Sequence, residues 1–193
     1  DGKGSERVSF SGRLTAGEFE ISGDVSSQFI SGLLLALPLL EKKSRIMIAG
    51  PVESGGYIDI TLDVLDTFSL KTQVKDGSIE ISGTDRFISP GNIAAEGDWS
   101  NSAFWLCGAA ACRGILTCEE INKNSCQGDR AITRVLMEMG AEVICEDNSV
   151  RVNAGTLKPA RIDASEIPDL VPPIALMACA AEGETEIFNA GRL

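Results

Sequence analysis

The 193-residue chain contains no histidine, one tyrosine and two tryptophans, and aromatic residues make up only 5% of it. Without imidazole, the usual proton shuttle near neutral pH and most zinc ligation are excluded. The scarcity of aromatics leaves Leu, Ile, Val and Ala to fill the core, for which a hydrophobic content of 44% suffices. Cations are also short: 17 Lys and Arg stand against 28 Asp and Glu, a net charge of -11. A nucleic-acid duplex or an anionic membrane is thereby excluded as a partner over a broad face, and a small anion needs a local cationic pocket. Phe29–Leu40 and Pro172–Ala181 are apolar but too short to span a bilayer, and the first contains Gly32 and Pro38. Asp1 to Arg7 lack the apolar core of a signal peptide, which makes cytoplasm the expected location. The six cysteines form no C-x-x-C pair, so they read as small apolar residues of a reduced protein.

What the chain does have is a distinctive turn, Gly23-Asp24-Val25-Ser26-Ser27-Gln28-Phe29, where the alternating Glu18–Ile21 segment runs into an apolar helix. A helix that opens at two hydroxyls and an amide presents unpaired backbone N–H groups beside side-chain donors, the geometry that suits a phosphate or a polyhydroxylated ring. From the residues alone, a serine there is more often a plain N-cap.

The turn belongs to a repeated unit. A strand at Phe19–Ile21, a helix over Ser26–Leu40, a strand at Arg45–Ile48 and a helix over Tyr57–Phe68 lead to two strands flanking Asp76-Gly77. The same order returns with Ile93–Ala95, a helix over Ala103–Arg113, a strand at Ile115–Cys118 and a helix over Asp129–Met139. Strands at Val143–Cys145 and Val150–Val152 then pair across Asp147-Asn148. A third copy starts at Arg161-Ile162-Asp163, enters a helix through Ile167-Pro168-Asp169 and reaches a strand at Thr185–Phe188. Gly23 and Gly97 lie about 74 residues apart, and Asp59 and Asp129 about 70, too long a period for a solenoid and suited to βαβαββ subdomains. One such unit is too small to close a core alone, so the copies are expected to pack together.

Ser26-Ser27-Gln28-Phe29, Ser54-Gly55-Gly56-Tyr57-Ile58-Asp59-Ile60-Thr61, Glu96-Gly97-Asp98-Trp99-Ser100, Gln127-Gly128-Asp129 and Ile167-Pro168-Asp169 together resemble the 5-enolpyruvylshikimate-3-phosphate (EPSP) synthase family. The closing Asn189-Ala190-Gly191-Arg192-Leu193 is similar to that family's segment before its Lys/Arg motif. Any one motif is weak; in order along the chain they are specific. The resemblance implies an α/β fold (α+β in some schemes): repeated βαβαββ subdomains of the enolpyruvyl transferase inside-out barrel, here an incomplete set. It implies that residues 1–95 are part of the first domain and 96–193 part of the second. The chain then stands as the middle of a longer enzyme, with basic motifs outside it at both ends.

The activity so implied moves the enolpyruvyl group of phosphoenolpyruvate to the 5-hydroxyl of shikimate-3-phosphate and releases phosphate, with no cofactor and no metal. It belongs to chorismate and aromatic amino acid biosynthesis. Ser26, Ser27 and Gln28 correspond to shikimate-3-phosphate contacts, Gln28 also to a phosphoenolpyruvate contact, and Ser54 and Tyr57 to further contacts on the shikimate side. Asp169 corresponds to the proton acceptor for the attacking hydroxyl and to a shikimate-3-phosphate contact. Without the resemblance it reads as a carboxylate complementing a helix dipole. Glu166, Asp163, Asp98, Ser100 and Asp129 read as solvated, capping or packing residues, and Arg130 as a surface guanidinium with an anion contact as the alternative. The alternatives to this activity are the related UDP-N-acetylglucosamine enolpyruvyl transferase and a non-catalytic sugar-phosphate-binding repeat protein. Because no Lys or Arg clusters with the Ser-Ser-Gln turn or Asp169, the chain alone is expected not to turn over. The intact enzyme is expected to be a monomer, and the incomplete set to be open to self-association.

Overall fold

The computed structural model describes residues 9–52, 55–84, 86–153 and 155–191. In the first unit, β1 (Glu18–Ser22) pairs in parallel with β2 (Ser44–Ala49), and α1 (Ser27–Ala36) makes the crossover between them. After α2 (Gly56–Thr67), β3 (Thr72–Lys75) and β4 (Ser78–Ile81) form a hairpin, and β4 lies antiparallel to β2, so the sheet order is β1-β2-β4-β3. Asp76 and Gly77 both take positive φ, 47° and 72°, as a two-residue loop between right-twisting strands requires. α1 is shorter than its apolar run suggests. It gives way at Leu37–Leu39 to one 3-10 turn, because Pro38 has no N–H for the ladder and its ring crowds the preceding turn.

The second unit comprises α3 (Trp99–Ala111), β5 (Ile115–Glu119), a 3-10 turn at Gly128–Ala131 continuing into α4 (Ile132–Glu138), and the β6 (Glu142–Cys145) and β7 (Ser149–Asn153) hairpin. Its sheet is antiparallel, ordered β5-β7-β6. In the third, β8 (Arg161–Asp163) pairs in parallel with β9 (Glu186–Phe188). Between them, a 3-10 turn at Pro168–Leu170 runs into α5 (Val171–Ala178).

One expected strand is missing: Ile93–Ala95 has no ladder partner. The segment is held by side chains instead. The Glu96 carboxylate accepts from Ser125 Oγ at 2.6 Å, Gln127 Nε2 at 2.8 Å and Asn122 Nδ2 at 3.3 Å, which ties it to the loop after β5.

The repeat survives at the glycine that follows each first strand position. Gly23 N–H donates to Ala49 O and Gly97 N–H to Glu120 O, both at 2.8 Å, each time at the end of the neighbouring strand. A Cβ on Gly23 would meet Pro51 O at 2.6 Å, and one on Gly97 would meet Glu120 O at 2.5 Å and the Ile121 side chain at 2.6 Å. We therefore expect Gly97→Ala to cost about 1–3 kcal/mol, as overpacking does, read as a lower urea midpoint with an unchanged m-value.

Two cores result. Ile30, Leu34, Leu37, Ile46, Ile58, Leu65, Leu70, Ile79 and Ile81 close the first, where α1 and α2 lie on the sheet. The second is built around Trp99, Leu106, Leu136, Val150, Ile162 and Ile174, so the second and third units share it through α3 against α5. Among the described residues, none between Ile81 and Trp99 belongs to either. Among the described residues, no helix is long and apolar enough to cross a membrane.

Candidate active site

Three consecutive serine, serine and glutamine positions open α1. Ser26 is its N-cap, with φ -172° and ψ 132°, and its Oγ accepts from Gln28 N–H at 3.2 Å. Asp24, the stronger carboxylate cap, is diverted: Ser22 Oγ donates to its Oδ1 at 2.5 Å. In the second unit the corresponding aspartate is free to cap. Asp98 accepts from Asn101 N–H at 3.1 Å and Asn101 Nδ2 at 2.6 Å, so α3 starts directly after it.

These differences set the face that α1 offers. Ser26, Ser27 and Gln28 line a cavity of about 510 Å³, opposite Pro168 and Asp169 of the third unit. Tyr57, in the first turn of α2, stands between them and donates its phenol hydrogen to Asp169 Oδ2. Of the residues singled out in the sequence, five share this one cavity; Ser54 lies outside the described residues. Burial, and then the Asp169 carboxylate beside it, push the Tyr57 hydroxyl well above the ordinary phenol range, so it stays a donor at neutral pH. Asp169 Oδ1 has no protein donor among the described residues.

Four further polar residues, to which the sequence reading gave no role, line the cavity. Ser31 and Thr61 sit one helical turn beyond Ser27 and Tyr57, and Thr61 Oγ1 lies 2.9 Å from Ser31 Oγ, joining α1 to α2. The i+4 spacing of small hydroxyls was their signal. Ser165 and Asn189 are held by Asp163, whose Oδ1 accepts from Ser165 N–H and Asn189 Nδ2, both at 3.0 Å. They had no such signal, because the contact joins the two ends of the third unit. Among the described residues, no Lys or Arg lines this cavity.

A second cleft of about 720 Å³ adjoins it along the other side of Tyr57 and Ile60, and is lined by Asp63, Glu96, Asp98, Asp129 and Glu166. Asp129 is buried, accepts from Ser100 Oγ, and is pushed above the usual carboxylate range chiefly by desolvation. A carboxyl raised in this way favours folding below the ordinary aspartate value of about 3.9 and loses that contribution as pH rises through the raised value. Asp129→Asn keeps an acceptor for Ser100. It should therefore be more stable than the parent at pH 7, with the gap closing toward pH ~4, in thermal melts across pH.

With this geometry in view, comparison with known proteins decides the family. The model for EPSP synthase (3-phosphoshikimate 1-carboxyvinyltransferase) matches residues 2–193. The chain belongs to the EPSP synthase family. The 3-phosphoshikimate 1-carboxyvinyltransferase of Clostridium kluyveri is 41% identical over 193 residues, covering 96% of this chain and 43% of that protein. Its counterpart in Methanocaldococcus jannaschii is 37% identical over 180 residues, covering 93% and 42%. In fold, EPSP synthase from Acinetobacter baumannii superposes with a TM-score of 0.74 at 22% identity, over 94% of this chain and 42% of that one. The chain thus spans less than half the length of the EPSP synthases it matches.

Proposed function

We propose that the chain carries the shikimate-3-phosphate half of an enolpyruvyl transfer site. The observation that carries this reading is the shared cavity of about 510 Å³ with the Ser26–Gln28 helix start on one wall and Asp169 on the other. Backbone N–H groups and hydroxyls at the start of α1 suit the 3-phosphate, the Gln28 amide suits a bridge to phosphoenolpyruvate, and Ser54 and Tyr57 complete the sugar side. Asp169 takes the 5-hydroxyl proton as that oxygen bonds to C2 of phosphoenolpyruvate and C3 gains a proton. The tetrahedral ketal then loses phosphate and a C3 proton. Tyr57 holds the carboxylate in place before substrate arrives.

We place residues 1–95 in the first transferase domain and 96–193 in the second, in keeping with the two separate cores. The protein is read as cytoplasmic. Phe29, Leu35 and Leu39 of the first unit and Phe104 and Trp105 of α3 are about half exposed or more, so the chain alone is expected to self-associate, which sedimentation velocity measures.

Substrates bearing two phosphates and two carboxylates need cations, and none of the described residues lining this cavity is a Lys or Arg. The purified chain, given both substrates, should therefore release no phosphate above background. Release near the rate of the C. kluyveri enzyme would overturn that expectation. The reading itself is tested by calorimetric titration with shikimate-3-phosphate. Weak saturable binding lost in Ser26→Ala/Ser27→Ala supports it, and binding indifferent to that change removes it.

A further inference from the structure

A third cavity, of about 570 Å³, lies on the second unit between the loop after β5, the start of α4 and the end of β6. Its lining reverses the charge of the molecule. Among the described residues it is lined by Lys123, Arg130 and Arg134 and by no carboxylate, whereas the two cavities described above are lined by carboxylates and by no cation. In a chain of net charge -11, this lining runs against the overall balance. Arg130 and Arg134 stand four residues apart on one continuous helical segment, where like charges destabilise a helix by about 0.2–0.5 kcal/mol.

Two of these cations are tied to each other, and Arg134 lines the same space. Arg130 Nη1 donates to Lys123 O at 2.5 Å, which draws its guanidinium across the cavity, and the charges of both Lys123 and Arg130 reach the Cys145 thiol. Lys123 is the one with a counter-ion, Asp147 at 2.6 Å; among the described residues, Arg130 and Arg134 have no carboxylate partner. Asn124, Ser125 and Thr133 add polar groups around the same space. A guanidinium pair with open donors matches the oxygens of a phosphate group better than it matches a carbonyl or a cation.

We propose that this cavity is a binding site for a small phosphate-bearing anion, separate from the cavity that holds Ser26 and Asp169. The proposed transfer reaction gives none of Lys123, Arg130 and Arg134 a role. Its occupant would neutralise Arg130 and Arg134 and brace the loop that carries Asn122, Ser125 and Gln127, the side chains on which Glu96 rests.

The test is a titration of the chain with inorganic phosphate at constant ionic strength, followed by two-dimensional 15N NMR. Saturable shifts at Lys123, Arg130, Arg134 and Cys145, with a millimolar midpoint, are expected. Arg134→Gln should weaken them at least five-fold, and Ser26→Ala/Ser27→Ala should leave them unchanged. Both variants change exposed or half-buried side chains except Ser27, so their amide spectra report directly whether the fold is kept. Shifts confined to residues 26–28 would overturn this site and leave the substrate reading standing. Linear, non-saturating shifts, or saturation that Arg134→Gln does not alter, would overturn it as well.

Discussion

Asp169→Asn should abolish most turnover while leaving substrate binding nearly intact. The place to measure it is a chimera in which these 193 residues replace the matching 43% of the C. kluyveri transferase, so that the remaining segments are supplied. Asparagine keeps an oxygen to accept from Tyr57, so the contact between α2 and the turn before α5 persists. What it loses is the ability to take a proton. Positioned general bases contribute about 10²–10⁴-fold, and a fall of that size in kcat is expected, with the shikimate-3-phosphate dissociation constant within about three-fold. A variant that keeps more than a tenth of the parent kcat would show that another group takes the proton. Tyr57→Phe is the informative companion. It leaves the carboxylate basic but unrestrained, and should raise KM more than it lowers kcat.

The largest effect on stability is expected from Trp99→Ala. Trp99 is fully buried at the start of α3, its indole N–H donates to Asn122 O at 3.1 Å, and its backbone N–H is capped by Gln127 Oε1 at 2.8 Å. Truncating a buried aromatic of this size costs about 3–5 kcal/mol, a large share of the roughly 5–15 kcal/mol that holds an ordinary domain. Only the second core contains Trp99, so the loss should fall on residues 99–187, with the hydrogen-exchange protection of α1 and α2 retained. Circular dichroism in urea reads the first effect. The second tryptophan, Trp105, is 68% exposed and gives no core signal. Uniform loss of protection in both cores would contradict their independence.

How far the sequence reveals this molecule depends on the range of the interaction. The Asp76-Gly77 hairpin and the Ser26 cap are each decided within a few residues and read directly from the sequence, whereas the break at Pro38 is just as local but the apolar run to Leu40 concealed it. The juxtaposition of Ser26–Gln28 with Asp169 is not. It spans more than half the chain, and only the resemblance to a family carries it. Ile93–Ala95 reads as a strand from its apolar character and its place in the repeat. The structure leaves it unpaired because Glu96 is drawn to Asn122, Ser125 and Gln127, contacts with no local signature. The same limit hid Asn189 and Ser165, which Asp163 gathers from opposite ends of the third unit. Arg130 shows the converse. Alone it reads as a surface guanidinium, and only the fold places Lys123 and Arg134 on the same cavity.

Everything proposed about chemistry needs one pocket in which a sugar phosphate touches both α1 and the turn before α5. Amide shifts of the isolated chain on titration with shikimate-3-phosphate measure that contact directly. Movement of Ser26, Ser27 and Gln28 together with Asp169, along a single saturation curve, is the expected result. Saturating shifts at the α1 start with Asp169 and Tyr57 unmoved would contradict it.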